Sequence, residues 1–358
     1  MSRATRARID RSALKHNLKL VREAAVHSRV MAVIKGNGYG HGLLDVARCL
    51  WNADAFAAES ADEAVKLREA GIRQGIALLT GFHEARSLDT IAHRRLLPVI
   101  HDEWQVAALR REKTSVVVGV WIKIDSGMHR LGFTPAEVPA VVQTLKSLRH
   151  VRIEGVMSHL ANADDLSDFT TKNQRRTFLD AAQEYSYPLS LANSAGVLGW
   201  PGTHLDWVRP GIMLYGCSPI QGRSEAKLGL RPAMTLEARI IAIRNVPAGE
   251  AIGYGGTWRC DAQTRVGVVA CGYGDGYPRH APSGTPVRVK GHTSRILGRV
   301  SMDLLTIDLS QWSDVAVGDW VELWGPKVPA STVAAHAGTI AYELVTGVSS
   351  RVPRIYEN

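Results

Sequence analysis

Cysteine is scarce in this chain, with four residues at Cys49, Cys217, Cys260 and Cys271, and none of them forms a C-x-x-C pair. That excludes a disulfide scaffold and gives no sign of a thiolate metal site. The four read as buried thiols of a reducing compartment. No stretch of 18 apolar residues occurs, so no transmembrane helix is expected. Residues 186–205 lack charges, but Pro188, Asn193, Ser194, Pro201 and His204 interrupt them. No H-E-x-x-H, Walker lysine or G-x-G-x-x-G pattern is present, so neither a metal nor a dinucleotide is expected. No apolar run follows the basic start, which removes the mark of a secretory signal and points to the cytoplasm.

What is present is a globular composition, with 45% apolar and 22% charged residues over 358 positions. At about 150 residues per domain, that length predicts two domains. Lysine and arginine exceed aspartate and glutamate by a net +9. An excess of that size attracts anions. The charge is mostly dispersed; its densest stretch runs from Arg3 to Arg22, without aromatic interleaving or a nucleic-acid fold motif. It reads as a solvated helix face aided by attraction of a small anionic substrate, not as a nucleic-acid surface.

The first 220 residues alternate between two textures. Short apolar runs appear at 29–34, 54–58, 76–80, 96–100, 115–124, 152–158, 189–192 and 206–215. Between them lie segments with helical spacing, such as FTTKNQRRTFLDAAQEY and ESADEAVKLREAG, where Ser60 and Glu63 resemble a capping box and Gly71 a stop. Buried parallel strands read as short continuous apolar runs, and the connectors are long enough for crossover helices. Eight such units predict an α/β fold with a (β/α)8 TIM barrel over residues 1–228. A doubly wound sheet is the alternative arrangement. Texture changes near 221–233. Beyond it, runs at 234–245, 266–272, 285–290, 303–309 and 319–324 predict a mostly β domain over 229–358, with one helical segment at 331–346.

Candidate reactive groups follow the strand-like runs, where a barrel gathers its catalysis. Lys35, in AVIKGNGYGHG, can form a Schiff base with a carbonyl cofactor and later move a proton. Its glycines let the backbone approach a ligand. The KIDSGMHRLGF segment supplies Lys123, Asp125 and Arg130; the arginine fork suits a carboxylate or phenolate. Lys123 lies inside a buried run, and a buried lysine needs a partner or a modification. His159 follows the sixth run without metal-binding company. Asn193 and Ser194 begin a short helix whose N–H groups suit a phosphate. Arg209 falls in the eighth run, and Gly211 permits close approach of backbone to ligand. The β region offers Tyr254 between glycines, Tyr273, Arg279, Met302, Asp303 and Tyr342.

Taken in order, AVIKGNGYGHG, KIDSGMHRLGF, SHLANAD, LANSAG, VRPGIMLYG, GYGGTW, GYGDGY and GRVSMD closely resemble the alanine racemase family. The likeness runs from IDRSALKHNL to RVPRIY, in a form similar to those of proteobacteria. It implies a pyridoxal 5'-phosphate enzyme that interconverts L-alanine and D-alanine, for peptidoglycan or for D-alanine catabolism. By the resemblance, Lys35 would be covalently linked to the cofactor. Tyr39, Asn193, Ser194, Gly211, Ile212 and Tyr342 would hold its phosphate end. Arg209 would donate to the pyridine nitrogen, and His159 would pack on the ring. Arg130 would reach the phenolic oxygen and the substrate carboxylate, and Met302 would offer that carboxylate its N–H. Lys123 matches a lysine often carbamylated in the family. Tyr254 would enter from a partner subunit, making a homodimer with shared active sites. Asp164, Tyr273, Arg279 and Arg299 match the substrate entrance, and Asp303 supports the site. Three departures stand out: Gly36 for a frequent alanine, Ser190 for a histidine of some members, and Ser301 for a cysteine of some.

Racemisation removes a proton from one face of the α-carbon and returns one to the other. The resemblance assigns Lys35 to the D-antipode and Tyr254 to the L-antipode. A free tyrosine, with a pKa of about 10, is a poor base at neutral pH. A chain Tyr254–His159–Arg209 would bring positive charge to it. A decarboxylase of the same plan and a single-barrel cofactor-binding protein are the competing readings. GYGGTW and SMD favour the racemase over the first, and the second domain with Tyr254 favours it over the other.

Overall fold

The computed structural model describes residues 4–358, so Arg3 of the basic stretch lies outside the described residues. Strand β1 (Thr5–Asp10) opens the chain. It is followed by eight parallel strands: β2 (Arg29–Val33), β3 (Ala55–Ala58), β4 (Gly75–Leu78), β5 (Leu96–Ile100), β6 (Val118–Lys123), β7 (Val151–Met157), β8 (Leu189–Ser190) and β9 (Trp207–Val208). They close into a barrel in chain order, β9 returning to β2 through Arg29↔Trp207 and Val30↔Val208. The core follows from the runs. Every residue of β3 is buried, as are Met31, Ala32, Ile76, Val99, Val120 and Val156 on its neighbours.

Crossover helices start where the sequence marks them. Ser60 caps Ala61–Glu69, its side chain accepting from the Glu63 N–H at 3.3 Å. Only that half of the expected box forms, because the Glu63 carboxylate turns away from the Ser60 N–H. The helix Thr170–Ala182 lies inside the FTTKNQRRTFLDAAQEY segment. The eighth run contains less strand than its apolar character predicts. After Val208 the chain bends at Pro210–Gly211 into a 3-10 turn, Ile212–Tyr215. Proline has no N–H for a ladder, so the strand ends there and Arg209 sits just past β9.

The remaining strands are β10 (Met234–Val246), β11 (Ala251–Ile252), β12 (Trp258–Arg259), β13 (Thr264–Val269), β14 (Pro286–Val289), β15 (His292–Leu297), β16 (Leu305–Asp308), β17 (Trp320–Trp324) and β18 (Arg354–Glu357). They form a mostly β domain with strand order β13-β16-β15-β14-β17-β10-β1-β18, and β13 also pairs with β10. The segment 331–346 is two helices, Ala330–His336 and Ala341–Thr346, rather than one. Gly338, at φ 67°, breaks it. β11 and β12 make a separate hairpin. A small cluster of Ile252, Cys260, Val266 and Leu297, with Trp258 against it, seats this hairpin on the domain.

The amino end departs from the expected solvated helix and from its assignment to the barrel. β1 pairs antiparallel with β10 and parallel with β18, so it belongs to the second sheet. Thr5, Ala7 and Ile9 face inward while Arg6 and Arg8 face out. Both arginines are engaged by Glu237, at 2.6 and 3.1 Å, and Arg8 also meets Glu357 at 2.9 Å. The helix Arg11–Ala24 then begins at Asp10, whose side chain accepts from the Ala13 N–H. Among the described residues, no helix is long and apolar enough to cross a membrane.

Candidate active site

The carboxyl ends of the barrel strands surround a cavity of 840 Å³. Lys35, Tyr39, Lys123, Arg130, His159, Asn193, Ser194, Arg209, Gly211, Ile212 and Tyr342 all line it. These groups come from distant points of the sequence, and barrel closure brings them to one mouth. Tyr342 arrives from the β domain.

Lys35 begins a turn of unusual hand. Gly36, Asn37, Gly38, Tyr39 and Gly40 have φ of 62°, 56°, 62°, 50° and 78°. The left-handed region costs an L-residue roughly 1–2 kcal/mol, so Asn37 and Tyr39 are held there by their surroundings. Glu63 supplies one restraint. Its carboxylate accepts from the Asn37 N–H at 3.0 Å and the Glu59 N–H at 3.2 Å. The Asn37 side chain accepts from the Leu43 N–H at 3.0 Å. A Cβ built on Gly36 would meet only Thr346 Cγ2, at 3.9 Å. Gly36→Ala is therefore expected to fold normally and lose about 1–2 kcal/mol of stability, the left-handed cost of a side chain. Urea denaturation measures it; unchanged stability would mean that the turn is not left-handed in solution.

At the end of the cavity lined by Ser194, Gly211 and Tyr39, the Ser194 hydroxyl accepts from the N–H groups of Gly211, at 2.8 Å, and Met213, at 3.3 Å. Its own proton remains to be donated. Asn193 caps the helix Ser194–Gly199, accepting from Gly196 at 2.9 Å. The Tyr39 ring stacks on Tyr215 with centroids 4.7 Å apart and lies 6.1 Å from the Tyr342 ring. A Cβ on Gly211 would fall 2.5 Å from the Tyr39 oxygen, so glycine there makes room for that hydroxyl. Burial pushes the Tyr39 phenol up to about 12, and desolvation where it faces the cavity also raises Tyr342, whose side chain is otherwise 37% exposed. Both therefore present O–H donors at neutral pH.

Deeper in, Arg209 is buried, with no carboxylate paired to it among the described residues. Its guanidinium donates to Ser190 Oγ at 2.6 Å, to the Ser158 carbonyl and to the Leu191 carbonyl at 3.5 Å. Burial lowers its pKa to about 10, so it remains a cation at neutral pH. It also lies 3.4 Å from His159 Nδ1. Burial and the charges of Arg209, Lys123, Arg130 and Lys35 hold His159 well below its ordinary pKa. A neutral ring accepting from Arg209 at Nδ1 carries its proton on Nε2. Ser190, standing where some members of the resembling family have histidine, thus gives Arg209 a neutral acceptor.

Lys123 ends β6. Burial, then the charges of Arg209, Arg130 and Lys35, lower its amine to about 8. Arg130 sits on a loop wound about Asp125, whose carboxylate oxygen accepts from the N–H groups of Gly127, Met128 and His129 at 2.9, 2.9 and 3.0 Å. Lysine and arginine outnumber the two carboxylates of the lining, Glu59 and Glu63, of which Glu63 is occupied with backbone N–H groups. A cavity so charged selects an anionic ligand.

The other sequence candidates lie outside this cavity. Tyr254 is 72% exposed at the tip of the β11–β12 hairpin, and Met302 is 54% exposed. Tyr273, Arg279, Arg299 and Asp303 are exposed too. Asp303 pairs with Arg351 at 2.7 Å, and Asp164 accepts from Gln221 at 2.7 Å. Residues that sequence reasoning passed over are Glu59, Thr80 and Thr346, which line the cavity, and Glu63, noticed only as a helix cap. No group of three or more histidine, cysteine or acidic residues among the described residues could hold a metal.

Comparisons with known proteins match both domains and nearly the whole chain. Residues 9–219 match the family model "Alanine racemase, N-terminal domain", and residues 233–356 match "Alanine racemase, C-terminal domain". The chain is 52% identical over 357 residues to the alanine racemase of Halorhodospira halophila, covering 99% of this chain and 98% of that protein. It is 47% identical over 355 residues to that of Vibrio cholerae, covering 99% and 98%. The crystal structure of biosynthetic alanine racemase from Pseudomonas aeruginosa superposes with a TM-score of 0.97 at 44% identity, covering 99% of this chain and all of that one.

Proposed function

The chain belongs to the alanine racemase family, and from that premise we propose how its residues divide the work. It is an isomerase that interconverts L-alanine and D-alanine. Its D-alanine would supply peptidoglycan or enter catabolism. The observation that carries the reading is the single cavity in which Lys35, Arg209, His159, Ser194 and Tyr39 converge.

Pyridoxal 5'-phosphate fits that cavity. The protonated hydroxyls of Tyr39, Ser194 and Tyr342 would hold its phosphate, with the backbone of Gly211 and Ile212 beside them. Neutral His159 offers a flat ring, Arg209 a buried N–H donor, and Lys35 an amine for its carbonyl carbon. When bound, the cofactor withdraws electrons from the α-carbon of the substrate and so loosens its proton. Arg130 would hold the substrate carboxylate, aided by the Met302 N–H.

Two bases on opposite faces complete the scheme. Lys35 Nζ takes or returns the proton on the D side. The two tyrosines of the cavity are unsuited to the L side, since desolvation raises both hydroxyls above the ordinary phenol range and holds them protonated. We assign that side to the partner subunit's Tyr254, delivered by its exposed hairpin in a homodimer. The same docking would cover Met302 and place Asp164, Tyr273, Arg279 and Arg299 at the entrance, with Asp303 in support. We place the enzyme in the cytoplasm, where the four buried cysteines remain thiols.

The test uses purified protein, pyridoxal phosphate and L-alanine in deuterated water, with NMR for α-proton loss and a D-specific oxidase for chirality. Cofactor-dependent deuteration with D-alanine formation is expected. Deuteration without D-alanine would mean one-faced chemistry, and no exchange would leave a cofactor-binding protein.

Lys123 is assigned a carbamate. Its amine nitrogen adds to the carbon of carbon dioxide, releases one proton to solvent, and becomes an anion that accepts from Arg130. Only the free base reacts, so with a pKa near 8 the modification rises from pH 7 to pH 9. NMR with ¹³C-bicarbonate should show a carbamate signal that grows across that window and disappears in Lys123→Met. Electron density for an unmodified lysine beside a bound anion would refute it.

A further inference from the structure

The turn that begins at Lys35 is gripped from the opposite domain by the last strand of the chain. Arg354, on β18, donates from Nε to the Gly40 carbonyl at 3.1 Å. Its Nη1 donates to the carbonyls of Ser349 and Val352 at 2.6 and 2.8 Å, and its Nη2 to that of Val348 at 2.6 Å. Every one of these acceptors is a main-chain carbonyl, and they belong to two separate segments. Gly40 directly follows Tyr39. Val348 and Ser349 lie just past the helix Ala341–Thr346, which carries Tyr342 and Thr346.

The two segments already touch. A Cβ on Gly40 would fall 1.9 Å from the Val345 carbonyl oxygen, so the turn is pressed against the end of that helix. Two residues on, the Tyr356 hydroxyl donates to the His41 carbonyl at 3.0 Å. The helix and the turn each bring one cavity tyrosine, Tyr342 from the helix's first turn and Tyr39 from the lysine turn, and their rings lie 6.1 Å apart. A guanidinium is a rigid planar fork whose donors diverge at fixed angles. Bonded to both segments at once, it sets how far apart they stand.

We propose that Arg354 is a positioning residue, fixing the separation of Tyr39 and Tyr342 and thereby the phosphate cradle that the two domains share. The proposal rests on the cofactor reading above and adds to it a residue that touches neither cofactor nor substrate. Its effect should fall on ligands that carry a phosphate and spare those that do not.

The experiment compares full-length wild type, Arg354→Ala and Arg354→Lys, freed of cofactor, for binding of pyridoxal phosphate and of pyridoxal. Circular dichroism at the working temperature verifies folding. If the cradle is correctly spaced about one tenth of the time in the variants, the Kd for pyridoxal phosphate rises about tenfold. The Kd for pyridoxal stays unchanged. Lysine, a point charge on a flexible stem, does not rescue. Equal weakening for both ligands, or none in a folded variant, overturns the proposal and leaves the cofactor reading intact. Failure of wild type to bind pyridoxal phosphate overturns both. A second measurement needs no variant. In cofactor-free wild type, inorganic phosphate should slow amide hydrogen exchange in 38–42 and 346–350 together. Protection of one segment alone rejects the coupling.

Discussion

Tyr254→Phe is expected to separate proton exchange from racemisation. D-alanine should continue to exchange its α-proton with deuterated solvent, because Lys35 still serves that face. L-alanine should lose exchange by about 10²- to 10⁴-fold, the usual worth of a positioned acid–base group. Racemisation itself must fall by the same factor in both directions, since the enantiomers are equal in free energy and no catalyst alters their ratio. The substitution removes one oxygen from a side chain that is 72% exposed and has no hydrogen bond within its own chain among the described residues. Folding should therefore be unaffected. Equal loss of exchange for both enantiomers would refute the division of faces. If the tyrosine acts across a subunit boundary, mixing inactive Lys35→Ala and Tyr254→Phe subunits should restore part of the activity, one composite site per mixed dimer.

Arg209→Glu should alter the outcome of the reaction as well as its speed. Arginine donates a hydrogen bond but gives up no proton near neutral pH, and with a pKa of about 10 Arg209 remains charged. It thus contributes polarity without serving as an acid. A carboxyl group in its place can carry a proton inward, and it faces the carbonyls of Ser158 and Leu191 that formerly accepted from the guanidinium. Racemisation is expected to fall about 10²- to 10³-fold, the range for losing one preorganised donor. Pyruvate formed per racemisation should rise. His159 supplies a separate readout. After burial, Arg209 is the largest influence depressing its pKa, so exchanging that cation for an anion must move the imidazole upward. NMR titration would follow the shift. An unchanged pyruvate ratio together with an unmoved histidine would refute the role given to Arg209.

The barrel was legible because strands buried on both faces become unbroken apolar runs, as in β3 and β5. β8 and β9 are two residues each, and apolar loop residues around them lengthened the apparent runs. β1 carried a readable signal, the alternation of Thr5, Ala7 and Ile9 with Arg6 and Arg8. The net charge of the region drew attention to helix and solvent instead. Lys35, His159 and Arg209 were placed at the cavity from sequence because each is a polar group in or just past an apolar run that becomes a barrel strand. Glu63 was hidden inside a familiar pattern: a serine three residues before a glutamate reads as a cap, and only the folded chain shows its carboxylate restraining the lysine turn. Arg354 stands in RVPRIY, quoted for its likeness, where nothing local reveals that its Nε reaches the Gly40 carbonyl, 314 residues away, while its other donors hold carbonyls close by.

The pairing of β1 with β10 and β18 also dictates an order of events during synthesis. Thr5 must wait for Ala238, and Ala7 for Arg354. The whole barrel, from Arg29 to Val208, leaves the ribosome before the first strand has any partner. The barrel can close early from sequential neighbours, while the pairing of β1 with β10 and β18 closes a far longer loop and so comes later. A chain in which β18 has not yet paired would hold Lys35 in a finished barrel with its turn ungripped. Docking of β18 is in this sense a late step in building the active site.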